Sequence, residues 1–323
     1  MAEKRRVLAL CGGVGGAKLA LGLSHVLPGD ALTIVVNTGD DFDHLGLRIC
    51  PDIDTVTYTL AGIVNTETGW GRAGETGNFM ASLSALGGED WFYLGDKDLA
   101  LHVERTRLLN AGVKLDAITR QVATKLGITA RILPMSNDRV ETMVVTTTGT
   151  LAFQHYFVRE RCQPRVTGFD FAGIDDVKVP AQPLQELMAT LMSDELSAII
   201  ICPSNPFVSV DPILALPGVR EALRICSAPV LAISPIVGGA AVKGPTAKMM
   251  GELGLQCTPA TVAAHYEDFL DGFILDQRDV ATRDNIADRI AHVQIANTLM
   301  LNLDHKIALA RQTLDFAERC RRG

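Results

Sequence analysis

Short apolar runs without polar alternation recur along the chain: "RVLALC" (6–11), "LTIVVN" (32–37), "SAIIIC" (197–202) and "PVLAIS" (229–234). Strands buried on both faces of a parallel sheet have this pattern. Between the first two, Ala17, Leu19, Ala20, Leu21, Leu23 and Val26 predict a helix packed on the sheet, ended by Pro28-Gly29-Asp30. Together they make a βαβ unit of about 30 residues, the usual span of a nucleotide-binding half. Residues 98–127 carry two helical patterns broken at Asn110-Ala111-Gly112, which predicts an α-hairpin. The segment 140–158, β-branched and aromatic around Thr148-Gly149, predicts an antiparallel hairpin at the sheet edge. Pro180 and Pro183 introduce a helix leading back to the parallel strands, and the last thirty residues read as mostly helical. The expected fold is α/β, with a Rossmann-like, doubly wound, mainly parallel sheet. Its core spans 1–97 and 130–323, with a small helical insertion at 98–129.

Composition narrows the class. The chain has 323 residues, 47% of them hydrophobic, enough for a sizeable core in one large domain or two. A net charge of -7 without a long Lys/Arg run argues against a generic nucleic-acid or membrane-surface binder and leaves room for a local basic pocket. The tail Arg319, Arg321 and Arg322 reads as solvated. Seven cysteines, odd in number and without CxxC spacing, indicate neither a disulfide framework nor a zinc ribbon, so a reducing cytoplasm is expected. Glycine interrupts the N-terminal apolar run too early for a signal peptide or membrane span. The seven histidines show no HxH or HxxxH pair, so no zinc site is expected.

The first strand runs into "CGGVGGAKL", with Gly12, Gly13, Gly15 and Gly16 within five positions. A strand, glycines and a helix start present free backbone N–H groups at the positive end of a helix dipole, where a phosphate is stabilised. The dinucleotide fingerprint fails because Lys18 stands where its last glycine belongs, and the P-loop fails because Ala17 and Leu19 flank that lysine. Tight strand-to-helix packing is the plainer use of such glycines. Four of them, with Lys18 in the first helical turn against the dipole, favour an anionic ligand.

After the second strand, "NTGDDFDHLGLRICPDIDT" (37–55) holds Asp40, Asp41, Asp43, Asp52 and Asp54 at the expected carboxyl edge of the sheet. Carboxylates beside a phosphate site call for a cation, and magnesium suits one or two carboxylates plus phosphate oxygens. Asp43 and Asp52 read as exposed-loop residues, or for Asp52 a helix cap. Two more loops follow strands. "CPSNPFVSVDPI" offers Ser204 and Asn205 between prolines, and "SPIVGGAAVKGPTAKMM" offers Gly238, Gly239 and Lys243 before a helix start.

"GGVGGAKL" (12–19), "NTGDD" (37–41), "CPDIDTVTYTLAG" (50–62), "LGDKDLALH" (94–102), "PSNP" (203–206) and "SPIVGGAAVKGP" (234–245) together resemble the 2-phospho-L-lactate transferases of coenzyme F-420 biosynthesis. The resemblance implies a dimeric, Rossmann-like, magnesium-dependent enzyme. It would transfer a phospho-hydroxyacid from a guanosine diphosphate-linked donor to the deazaflavin Fo, releasing GMP. By motif position it implies Fo contacts at Asp54 and Lys97, with Lys97 standing where relatives have arginine, so a bidentate contact is in question. Gly12, Gly13, Gly15, Gly16, Lys18, Ser204, Asn205, Gly238, Gly239 and Lys243 would hold the nucleotide. Asp40 and Asp54 would hold Mg²⁺, and Asp54 and Lys18 would serve catalysis; whether Asp54 is a ligand or a base stays open.

Trp70 and Trp91-Phe92 either stack on the flat ring or pack under loops. Arg105 and Arg107 read as a solvated helix face, and Cys11 and Cys202 as buried small hydrophobes. The competing reading is a non-enzymatic, nucleotide-sugar-binding regulatory protein of a related family, which would carry a Gly/Ser-rich segment in place of the acidic one.

Overall fold

The computed structural model describes residues 6–177 and 182–321. Seven strands form one parallel sheet in the order His292–Ala296, Gly272–Asp276, Val230–Ile233, Leu196–Ile201, Arg6–Cys11, Leu32–Val36, Arg131–Pro134. The first strand therefore lies between the second and the fourth in chain order, and the connections run outward in both directions from it. That makes the gap between Arg6–Cys11 and Leu196–Ile201 the topological switch point, where open α/β sheets hold ligands beyond their carboxyl ends.

Strand geometry divides the core in two. Leu8 and Leu10 face one side and pack with Leu187, Leu191 and Leu223. Val7, Ala9 and Cys11 face the other and pack with Leu19, Leu23, Leu309 and Leu314. The helices Gly13–Val26 and Leu303–Arg319 cover this second face. They approach closely because Gly22 has no side chain: a Cβ there would meet the carbonyl carbon of Lys306 at 2.6 Å.

The four runs named from sequence are all central strands. Three further strands, 131–134, 272–276 and 292–296, are short, and "RILP" and "GFILD" are too brief for periodicity to separate strand from buried helix. The pattern at 98–127 forms the helices Asp96–Asn110 and Leu115–Lys125. The hairpin 141–152 forms, but away from the edge of the main sheet. It joins Val166–Ala172 in a separate three-stranded antiparallel sheet, and residues 155–159 turn into a π-helical segment instead of extending it. Pro180 and Arg322 lie outside the described residues, while Pro183 precedes the helix Leu184–Leu191. Among the described residues no helix is long and apolar enough to cross a membrane.

Candidate active site

A cleft of about 390 Å³ opens over the switch point. Its floor is the turn Gly12-Gly13, locked to the loop after the fourth strand. The Ser204 hydroxyl accepts the Gly12 N–H at 3.2 Å and donates to the Gly12 carbonyl at 2.7 Å. Side chains are excluded by contact: a Cβ on Gly12 would lie 2.6 Å from Ser209 Cβ, one on Gly16 would lie 2.6 Å from Cys11 Sγ, and one on Gly15 would overlap the Pro203 carbonyl oxygen. Gly13 has φ +60°. Gly12 and Gly15 thus serve close packing and line the cleft at once, Gly13 lines it, and Gly16 serves packing without lining it.

Lys18 and Lys243 also line it. Burial, then the neighbouring Lys243 and Lys306, lowers the Lys18 pKa. Lys243 donates to the Thr68 carbonyl, tying down the loop that carries Trp70. Asn205 lines the cleft as well and caps the following turn by accepting the Phe207 N–H at 3.0 Å. Gly238 and Gly239 form the two-residue turn of a small hairpin, with φ +62° and +74°, instead of a second phosphate loop. The Gly238 N–H is taken by Asp279 at 2.8 Å, and neither glycine lines the cleft.

Against the glycine loop stands an acidic wall. The Asn37 amide donates to Asp40 at 3.1 Å and Asp52 at 2.9 Å, and Asp52 accepts the Gly13 N–H at 2.7 Å. Asp52 is therefore neither an exposed loop residue nor the cap of its own helix: it is buried against the glycine loop. Burial raises the Asp40 pKa well above the usual range, and Asp52 adds to this; burial pushes Asp52 up to about 6. Two such carboxylates sharing one amide would be relieved by a cation.

Further along, both oxygens of Asp54 are engaged by the Arg105 guanidinium, one at 3.1 Å. Arg105 is 3% exposed, so the expectation of a solvated helix face is overturned for it, while Arg107 does lie in solvent, paired with Glu104. The spacing Asp98, His102, Arg105 is the signal that sequence reading passed over, since one helical face carries all three. Burial raises the Asp54 pKa against the opposing pull of Arg105 and His102. Burial works upward on Asp98 too, but His102 and the Tyr58 hydroxyl hold it below the usual value. Asp54, Asp98 and His102 each bring a ligand atom within 4.8 Å of the others, the one group of three such residues among those described.

Several sequence-selected residues lie elsewhere. The Lys97 ammonium reaches the Ala73 carbonyl at 3.4 Å, and Lys97 is absent from the cleft lining, whereas its neighbour Asp98 belongs to it. Asp43 pairs with Arg139 at 2.8 Å, outside the cleft. Trp70, 52% exposed, and Phe92 line the cleft with Tyr93, Phe153 and Phe157. Trp91 instead packs among Phe42, His44 and His155. Cys11 and Cys202 are buried at the strand ends, as read.

Asp41 underlies this wall, 3.8 Å from the Arg48 guanidinium, and burial pushes its pKa up to about 7. Its folded pKa lies above its unfolded one, so its contribution to stability is complete below about pH 4 and is lost as pH rises through 7. Urea unfolding of Asp41→Asn and of the parent chain is expected to diverge over that window. The parent should lose up to about 4 kcal/mol relative to the variant; parallel curves would remove Asp41 as the source.

Fold and cleft define a doubly wound α/β protein whose ligand site sits at the sheet's switch point. The model of the 2-phospho-L-lactate transferase CofD family matches residues 7–311, and the chain belongs to that family, so it is a transferase. It is 39% identical over 322 residues to a phosphoenolpyruvate transferase of Streptomyces griseus, covering 98% of this chain and 99% of that one. It is 36% identical over 304 residues to a 2-phospho-L-lactate transferase of Methanosarcina mazei, covering 94% and 98%. Among solved structures, a UPF0052 family protein of Bacillus halodurans matches with a TM-score of 0.54 at 15% identity, covering 96% of this chain and 91% of that one, a likeness of fold.

Proposed function

We propose that the chain transfers a phospho-hydroxyacid moiety from its guanosine diphosphate-linked donor to the terminal ribityl hydroxyl of the deazaflavin Fo, in coenzyme F-420 biosynthesis. The observation that carries this reading is the polarity of the cleft. The cleft is lined by Lys18 and Lys243 beside the start of the helix Gly13–Val26, and by carboxylates and aromatic faces. The cations and helix start suit a diphosphate, and the aromatic faces a flat ring.

In the reaction the acceptor oxygen forms a bond to the outer phosphorus, the bond from that phosphorus to the GMP oxygen breaks with its electron pair going to GMP, and the hydroxyl proton passes to solvent. Lys18 and Lys243 neutralise charge on the phosphoryl oxygens, and the rigid Gly12–Ser204 lock sets the nucleotide in line. Lys97, which lies outside the cleft lining, has no part in this account. Magnesium fits the buried Asp40–Asp52 pair, the residues that would hold it, while Asp54 is taken by Arg105; when bound it would supply charge neutralisation at the transferring phosphoryl group.

The test is incubation with Fo and each of the lactyl, enolpyruvyl and glyceryl donors, followed by product mass. The enolpyruvyl donor comes first, because the phosphoenolpyruvate transferase of Streptomyces griseus is 39% identical over 98% of this chain, against 36% over 94% for the 2-phospho-L-lactate transferase of Methanosarcina mazei. A product mass with GMP release, abolished by a chelator and restored by Mg²⁺, is expected. Nucleotide binding without product from any donor would favour the regulatory reading. Light scattering is expected to report a homodimer.

A further inference from the structure

Gln154 is 6% exposed and lines the cleft, yet among the described residues nothing hydrogen-bonds its amide. It leads the strand Gly149–Ala152 into the π-helical turn His155–Arg159, and its side chain does not cap that turn. The carboxylate oxygens of Asp41 are also without partners, but they are fully enclosed; the amide oxygen and nitrogen of Gln154 are not, so a molecule in the cleft can reach them. An amide this deeply buried is costly to leave unpaired unless a ligand supplies the partners.

Its surroundings select the ligand. Phe153 and Phe157 stack 5.4 Å apart, and both line the cleft. His155 meets Trp91 edge to face at 4.9 Å, and Trp91 lies 5.8 Å from Phe92, another lining residue. No Lys, Arg, Asp or Glu stands between Phe153 and Val158, so this part of the cleft is aromatic and uncharged in sequence. An amide presents an acceptor beside a donor. A phosphate or carboxylate would be repelled by the amide oxygen and an ammonium by the amide N–H, whereas a planar ring carrying N–H beside C=O satisfies both ends at once. We propose that Gln154 is a specificity-determining residue that reads the N–H/C=O edge of a flat heterocycle. Two reactants carry such an edge, the pyrimidinedione ring of Fo and the guanine of the donor, and Gln154 pairs with one of them. This rests on the transfer reading above.

Fluorescence titration with Fo, calorimetric titration with GDP and urea unfolding, each on the parent and on Gln154→Leu, test it. Affinity for one of the two ligands is expected to fall about tenfold to a hundredfold, with the other within about twofold. The unfolding midpoint should equal or exceed the parent's, because leucine removes a buried polar group that no protein atom satisfies; a merely structural glutamine would lower it. Loss for Fo alone assigns the acceptor ring, and loss for GDP alone assigns guanine. Gln154→Glu, which keeps the shape and loses the donor, should weaken the same ligand. Methylating the ring N–H of that ligand should cost the parent at least about tenfold and Gln154→Leu no more than about twofold. Unchanged affinity for both ligands, equal loss of both, a lowered midpoint, or equal cost of methylation in the two proteins would each overturn the proposal. Failure of the unmodified protein to bind either ligand would instead sink the transfer reading.

Discussion

Asp54→Asn is expected to lower transfer turnover more than tenfold and to reduce stability by about 3 kcal/mol or more, leaving a folded chain. The reason is the commitment of both Asp54 oxygens to Arg105 inside the protein, in a pair that also borders His102 and the cleft. Asparagine keeps the shape, but turns an amide donor toward a guanidinium that only donates and leaves that cation buried without its counter-charge. Arg105→Met should destabilise less, because Asp54, already raised in pKa by burial, can take up a proton. The double variant Asp54→Leu with Arg105→Met should recover much of the stability lost in Asp54→Asn, since two apolar side chains leave no buried charge. Its activity should not recover, because the cleft then lacks the carboxylate. Urea unfolding and steady-state turnover on the four proteins separate the structural part of Asp54 from its chemical part. Near-normal turnover in a folded Asp54→Asn would remove this carboxylate from the mechanism.

Gly15→Ala is expected to damage stability and nucleotide binding together. The added Cβ would meet a backbone carbonyl, Pro203 O, so no side-chain rotation relieves it. Either the helix Gly13–Val26 or the loop after the fourth strand must move, and both form the cleft floor. Overpacking of this kind costs about 1–3 kcal/mol, and the upper end applies where both partners are backbone. GDP affinity should fall at least about tenfold if the helix start takes the phosphates. Gly238→Ala serves as the contrast, because among the described residues no atom beyond its chain neighbours lies within 4 Å of its Cβ position and only φ +62° opposes the change. That strain costs about 1–2 kcal/mol and should leave GDP affinity unaltered. A Gly15→Ala protein with the parent's unfolding midpoint and affinity would show that the Pro203 contact does not govern the loop.

Much of the scaffold was legible because it depends on neighbours in the chain. Apolar runs at 6–11, 32–36, 196–201 and 230–233 are strands because a segment buried on both faces has no polar alternation. The glycines at 12–16 opened a helix at the end of the first strand, and "PDIDT" came to rest against them, through Asp52 and Gly13. Carboxyl-edge placement follows from parallel topology, which the βαβ pattern already dictates.

What depended on docking was not legible. Asp54 and Arg105 are 51 positions apart, and their pairing arises only when the helix Asp96–Asn110 lies over Pro51–Leu60. The same docking buries His102 and half-buries Asp98 at the cleft while Lys97, one residue before Asp98, points away toward Ala73. A one-residue step on a helix turns a side chain through about 100°, so a motif selects a segment while packing selects the residue within it. Sequence by itself determined the four central strands, the phosphate-compatible loop and the supply of carboxylates, since these are local properties of the chain. Only the tertiary structure decided which charges face one another, because electrostatic pairing and desolvation are set by distances between elements far apart in sequence.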